Sequence, residues 1–389
     1  MKIIIGQAAR GEDFFPRPKI SDEIWRKIES GSNILLVAPR RVGKSSLLFD
    51  LFENPKPGYH VVYYTSESVN NINEFYKKLF YKINEILGTT KKYKYKIEGF
   101  TKELFSRIDA LSVKYLAITL GENKISYLTE LAKMLANLEL ENERLIILVD
   151  EFAQTVENII EDEDQRIAIK FLETKRELRL SPELHKRIQF IYAGSIGLEN
   201  IVSKFNGIKF INDLTPIPVP PLTNEEAKVF VAKIINENDV TLDEASFDYL
   251  LQKIGWLIPY YFQIILNDCE KILEETSSKN ITNNTIDLAF SSALKERIYF
   301  EHWFTRLRTA FKGEDFSFVK DLLNIISSKP FVLSTEIYDL ALRYKLESTY
   351  NNLVNALKYD GYINNNDAPK IYRFNSPLLK EWWYRNVAN

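Results

Sequence analysis

The sequence predicts an α/β protein: a parallel sheet flanked by helices, then an all-helical region, then a small C-terminal unit of helices and a hairpin. Three observations predict it. The runs Ile34–Val37, Leu145–Val149 and Ile188–Tyr192 are short, continuous and apolar, as strands buried on both faces are. Stretches with helical apolar spacing lie between them, the alternation that builds α/β folds. From Thr223 onward helical periodicity takes over, punctuated by capping residues, until the extended pieces Tyr362-Ile363 and Ile371–Phe374.

A chain of 389 residues is too long for one ordinary core and suggests two or three domains. We expect boundaries at 1–218, 219–312 and 313–389, with an insertion at about 88–124. Apolar residues at 45% and charged residues at 27% describe an ordinary globular protein, and a net charge of −2 gives no global pull toward nucleic acid or anionic membrane. The single cysteine, Cys269, excludes an intramolecular disulfide and reads as a small buried hydrophobe. The scattered His60, His185 and His302 have no metal-ligand spacing, so a reduced, cytoplasmic setting is expected. Lys2–Ile5 is too short for a signal peptide, and no later apolar run reaches spanning length, so no membrane partner is expected.

The first strand, Asn33–Val37, runs into Ala38-Pro39-Arg40-Arg41-Val42-Gly43-Lys44-Ser45-Ser46, and Leu47-Leu48-Phe49-Leu51 continues as a helix. Strand, loop and helix in this order suit a phosphate-binding loop: successive backbone N–H groups wrap an anion and the new helix points its positive end at it. Gly43 permits close approach, Lys44 reaches the β- and γ-phosphates as a point charge, and the Ser45 hydroxyl suits a magnesium ion. Ala38 stands where the usual pattern has its first glycine.

Ahead of the loop, Ser21–Ser30 has helical spacing at Ile24, Trp25 and Ile28, with Ser21 as N-cap. Phe14–Pro18, which includes Arg17, is either an adenine-stacking segment or an ordinary ordered arm. Tyr59–Thr65 alternates as a second strand and Ile72–Leu87 reads as a helix. Within the insertion, Lys91–Lys96 interleaves bases with aromatics, which suits single-stranded nucleic acid or a lysine-guarded edge strand. Val113–Leu120 is a candidate strand there.

After a helix near Ser126–Leu138, Leu145–Val149 ends in Asp150-Glu151. The carboxyl end of a buried parallel strand is where α/β folds bind ligands. Asp150 is then placed to hold the magnesium shell and Glu151 to polarise an attacking water, although paired acids also cap helices. The run Glu161–Asp164 opens a long helix to Leu180. Arg176, Arg179 and Arg187 are candidate arginine fingers or plain solvated side chains. Ser195, just after the strand Ile188–Tyr192, is a candidate for contacting a γ-phosphate or simply part of a turn.

Lys209–Leu214 reads as a fifth strand and Pro216–Pro221 as a stiff connector ending the sheet domain. Thr223–Glu226 and Thr241–Glu244 read as capping boxes. Gly255 and Pro259 break the helical region, Gly255 ending one helix and Pro259 starting the next, where it would face a bound base. In the last part, helices at Phe316–Ser327, Thr335–Arg343 and Glu347–Tyr359 precede the hairpin, the order of a winged helix, and Ser376-Pro377 caps a closing helix. Seven Lys/Arg against six Asp/Glu over 331–389 is weak footing for duplex DNA, so a protein-binding wing is at least as well supported.

The loop Ala38–Ser45, the strand end Leu148-Val149-Asp150-Glu151, Gly194-Ser195-Ile196-Gly197, the Gly255…Pro259 break and the winged helix together resemble the archaeal-type P-loop ATPases. These are STAND-like ATPases within the broad AAA+ group, with archaeal and bacterial versions, and the resemblance covers nearly the whole chain. It implies an ATP- and Mg2+-dependent switch in which nucleotide sits between sheet domain and helical lid and moves the C-terminal domain. By resemblance, Lys44 and Ser45 bind phosphate and magnesium, Asp150 the magnesium and Glu151 the water. Ser195 would sense the γ-phosphate and Pro259 would face the nucleotide. Arg17 would match the arginine of an N-terminal Gly-Arg signature, with Pro16 in place of the glycine.

The expected function is a slowly hydrolysing regulatory ATPase, a homo-oligomer or not, whose winged helix meets a protein partner or duplex DNA. The alternative is a DNA-binding AAA+-like module, of initiator or transposition-regulator type, in which ATP controls DNA affinity. The lid lacks a Gly-x-x-Arg sensor, which counts against origin-recognition-type chemistry.

Overall fold

The structure is a computed structural model that describes residues 1–88, 126–138, 140, 142–194, 197–237, 240–366 and 368–388. The insertion with its Lys91–Lys96 and Val113–Leu120 readings, and Ser195, lie outside the described residues. Those described divide into two compact units. One comprises Pro16–Ala38 and Lys44–Val219; the other comprises Met1–Phe15, Pro39–Gly43 and Pro220–Asn389.

In the first unit the apolar runs form a five-stranded parallel sheet. Its strands are β1 (Asn33–Val37), β2 (Tyr59–Thr65), β3 (Arg144–Asp150), β4 (Ile188–Tyr192) and β5 (Leu214–Pro218). Their order is β2-β3-β4-β1-β5. Because every pairing is parallel, all carboxyl ends share one edge, and β4 alone separates β1 from β3. β3 and β4 are buried on both faces, which is why their sequences show no alternation.

Helices Pro18–Glu29, Lys44–Glu53, Ile72–Gly88, Tyr127–Ala136, Phe152–Asp162, Gln165–Leu180 and Leu198–Ser203 complete this unit. Its core includes Phe75, Phe152, Phe171, Phe190 and Tyr192. Full burial of each such ring stabilises the fold by about 1.5–3 kcal/mol relative to exposure.

Several expectations move. The first helix begins at Pro18 rather than Ser21, because proline's fixed φ suits the first helical position and its missing N–H costs nothing there. Glu161 and Asp162 close a separate helix, and only Asp164 opens the next, accepting from the Arg166 and Ile167 amides. The fifth strand is not Lys209–Leu214, where Gly207–Phe210 coils as a 3-10 turn; it is the proline-bearing Leu214–Pro218. Val219 N donates to Val37 O at 2.9 Å. Residues of the same parity therefore face β1, and Pro216 and Pro218 turn their missing donors to the open edge, where a strand tolerates them.

The second unit is mainly helical. Its helices are Asn224–Glu237, Glu244–Ile254, Pro259–Thr276, Asn283–Ala293, Arg297–Ala310, Gly313–Ser328, Ser334–Tyr344, Tyr350–Asp360 and Pro377–Asn386. Thr223 and Glu226 exchange the two bonds of the expected capping box, at 3.0 and 3.2 Å. At Thr241 the expected box is absent. Thr241–Leu242 (β6) pairs in parallel with Asn280–Ile281 (β7), and the cap is Asp243, which accepts from Ser246 N at 2.7 Å.

Gly255 ends its helix at φ +66, and Pro259 opens the next. At the C-terminal end Val332–Leu333 (β8), Ile363–Asn364 (β9) and Ile371–Phe374 (β10) form an antiparallel sheet ordered β8-β10-β9. Ser376 caps the closing helix as expected, accepting from Leu379 N at 3.3 Å. Trp303, Trp382, Trp383 and Tyr362 fill the core of this unit, with Tyr362 OH donating to Trp303 O at 2.6 Å. Among the described residues no helix is long and apolar enough to cross a membrane.

Candidate functional site

The parallel sheet brings the ends of β1, β2 and β3 to one edge, and there the singled-out polar residues meet. Lys44 opens the helix after the loop, is buried, and its Nζ donates to the Ala38 carbonyl at 3.0 Å. Next along that helix, the Ser45 hydroxyl donates to Asp150 Oδ2 at 2.8 Å. Tyr63 OH, from β2, donates to the same oxygen at 3.0 Å, and Glu151 N donates to Asp150 Oδ1 at 3.0 Å.

Asp150 is held by its backbone as well. Its carbonyl accepts from Ser66 N and Ser66 Oγ, both at 3.0 Å, and Thr155 Oγ1 donates to Ser66 O at 2.7 Å. Burial and then the neighbouring Glu151 push the Asp150 carboxyl above the usual carboxylate range, while Ser45, Tyr63 and Lys44 pull it down.

Glu151 stands at the N-cap of the Phe152–Asp162 helix in the left-handed conformation, φ +56, and its side chain makes no cap hydrogen bond. A non-glycine residue in that region costs about 1–3 kcal/mol, and such strain gathers at functional sites.

A nucleotide-bound magnesium ion fits these donors. The Ser45 hydroxyl and the Asp150 carboxylate are hard oxygens at hydrogen-bond distance from each other. Among the described residues no cluster of three or more His, Cys, Asp or Glu could hold a metal unaided.

The loop backbone turns left-handed twice, at Arg41 (φ +65) and Gly43 (φ +103). Glycine pays nothing for this, whereas an L-residue pays about 1–2 kcal/mol. Arg41 is held within its own unit: its guanidinium lies over the Tyr260 ring, 4.5 Å from the centroid, and its Nε donates to His302 Nε2 at 3.5 Å. A cation–π contact of this kind contributes about 0.5–2 kcal/mol, the size of the backbone cost. His302 is driven down to about 2 by burial and then by Arg41 and Arg40, so its ring is neutral and can accept.

Of the expected site residues, Lys44, Ser45, Asp150 and Glu151 come together. Ala38 is buried at the end of β1; Pro39, Arg40, Arg41, Val42 and Gly43 form the loop, and Ser46 is buried in the helix after it. Arg17 is buried at the N-cap of Pro18–Glu29. Pro259 is half-buried at the first position of its helix, and its neighbour Tyr260 receives Arg41. Phe15 packs edge-on against Phe230 with centroids 5.3 Å apart, as an ordered arm would.

Arg179 is buried and forks onto Asp213 at 2.6 and 2.8 Å, a structural tie within its unit. Sequence reasoning missed Tyr63, Tyr260 and His302. Alternation in β2 was a usable signal for Tyr63; nothing local marks His302, which lies 261 residues from its partner.

This architecture, a loop after β1 and an acidic pair after β3 with β4 between them, is the fold of the archaeal-type P-loop ATPases. Among solved structures the chain is similar to the Walker-type ATPase PABY2304 of Pyrococcus abyssi, with a TM-score of 0.66 and 20% identity over 98% of this chain and 99% of that one. It is also similar to the ORC2 protein of Aeropyrum pernix in its ADPNP–ADP complexes, with a TM-score of 0.54 and 12% identity over 97% and 96% of the two chains. No family model matches the chain, and no curated protein does.

Proposed function

We propose that the chain binds ATP with Mg2+ and hydrolyses it slowly, as a switch whose nucleotide state is read out by its C-terminal helices and strands. One observation carries the reading: Ser45 from the loop helix and Asp150 from β3 are joined at 2.8 Å, with Glu151 beside them in a strained backbone. The nucleotide complexes named for the Aeropyrum pernix neighbour support it through the shared fold.

In this reading Lys44 leaves the Ala38 carbonyl to pair with phosphate, and the loop N–H groups and helix N-terminus hold the anion. Ser45 and Asp150 would hold the magnesium, which neutralises phosphate charge when bound. Glu151 accepts a proton from the attacking water. Arg17, Ser195 and Pro259 keep the roles that the resemblance implies for them. The domain limits at 218 and 312 are likewise retained as proposed, and the C-terminal order of helices and strands is read as a winged helix.

The second reading, ATP-controlled DNA binding, is favoured by one feature. The Tyr350–Asp360 helix exposes Asn351, Asn352 and Asn355, amides suited to adenine edges in a major groove. The test is ATP hydrolysis with Mg2+, alone and with duplex DNA, beside Lys44→Ala. Slow, DNA-indifferent turnover that disappears in the variant supports the switch. Stimulation by DNA moves the assignment to the second reading, and turnover that survives Lys44→Ala overturns the site.

A further inference from the structure

Arg41 sits inside the loop sequence, yet its side chain engages the helical unit to which it belongs. Its backbone is left-handed, as is that of Gly43 two residues on. Alternation of right- and left-handed residues turns successive N–H groups to one side, the concavity that binds anions. For glycine this costs nothing, but for arginine something must hold it.

The structure supplies the holder, and the holder is itself fixed. Tyr260 OH donates to the Tyr299 carbonyl at 3.0 Å, and its ring stands edge-on to His302 with centroids 5.8 Å apart. His302 in turn packs against Trp303 at 5.6 Å. Neither Tyr260 nor His302 is needed to explain the chemistry at Asp150 and Glu151.

We infer that Tyr260 and His302 are positioning residues for phosphate binding. They clamp the Arg41 side chain and so hold the loop backbone in its anion-binding form. Arg41 serves as a backbone anchor and makes no direct contact with the anion. The inference rests on the reading of this loop as a nucleotide-phosphate site, and it assigns the specificity of the loop's shape to residues far away in sequence.

The test uses Mg-ADP, which avoids turnover, titrated calorimetrically into the full chain, with thermal unfolding to check that each variant is folded. Arg41→Ala and Tyr260→Leu are each expected to weaken binding about 5–10-fold, and the double variant no more than either alone, since both break one clamp. Arg41→Gly is the discriminating variant: glycine holds the left-handed backbone unaided, so affinity is expected within about twofold of wild type although the guanidinium is gone.

A structural defect would not be rescued in this way. If Tyr260→Leu fails to fold, His302→Leu takes its place in the cycle. The inference is overturned if Arg41→Gly binds as poorly as Arg41→Ala, or if the two losses add, because either result means that the guanidinium touches the anion. It is overturned alone if all variants bind like wild type. Failure of the wild-type chain to bind Mg-ADP overturns the nucleotide reading with it.

Discussion

The Ser45 hydroxyl donates to Asp150 Oδ2 across 2.8 Å, although 105 residues separate the two in sequence. The contact ties the first turn of the loop helix to the end of β3. It follows from strand order, since β1, which the loop and its helix follow, and β3 both finish at the carboxyl edge of the same parallel sheet.

Asp150 carries a cost that a function would explain. Its folded-state carboxyl lies above the usual range, chiefly through burial. The sign follows: this group favours folding fully below its unfolded pKa, and that benefit is lost as pH rises through the folded value. At neutral pH Asp150→Asn is therefore expected to raise stability by about 0.5–2 kcal/mol and to weaken Mg-nucleotide binding by about 10–100-fold. Paired denaturation and titration experiments check both halves.

Glu151→Gln keeps the length and the hydrogen-bonding end of the side chain but removes the base. ATP binding is expected to persist while single-turnover hydrolysis falls by about 10²–10⁴-fold. Unchanged turnover would remove Glu151 from the water-activating role.

Lys175 is wholly buried, and among the described residues its amine has no hydrogen-bond partner. The rings of Phe75, Phe190 and Tyr76 lie 4.7, 4.9 and 5.4 Å away. The rings favour a cation, but desolvation outweighs them and drives the amine well below its ordinary pKa, with Arg179 adding to the effect. The folded state thus prefers the neutral amine, and stability from this group is lost as pH falls below the unfolded pKa. Lys175→Met is expected to stabilise by about 1–3 kcal/mol at pH 7 and by less at pH 10, read from urea midpoints at the two values.

Arg179 is 3% exposed and bonds Asp213 twice and the Phe210 carbonyl once, at 2.8 Å. Arg179→Ala would leave Asp213 without its fork, and a loss of about 3–5 kcal/mol of stability is expected. A variant that folds as wild type but loses turnover would restore Arg179 as a catalytic candidate.

The sheet was legible because its signals are local. β1, β2 and β4 appear as continuous or alternating runs with the limits expected, and Asp150-Glu151 stands where a buried strand ends. The fifth strand was hidden because Pro216 and Pro218 read as a connector; only the pairing to β1 shows that both prolines fall on the unpaired side. The Thr241 capping box failed because a two-residue strand pairs Thr241 with Asn280, which no local pattern announces. In the site, the loop and the acids declared themselves by type and spacing. The clamp on Arg41 did not, because it exists only after distant helices pack.

The proline pair on β5 has an outcome beyond its own strand. An exposed sheet edge is a template on which another chain can add a strand and begin to aggregate. Pro216 and Pro218 offer no N–H to such a visitor and carry rings where it would have to lie. On that side the sheet is closed to growth, and a chain with so many β-branched and aromatic residues is guarded there against self-association.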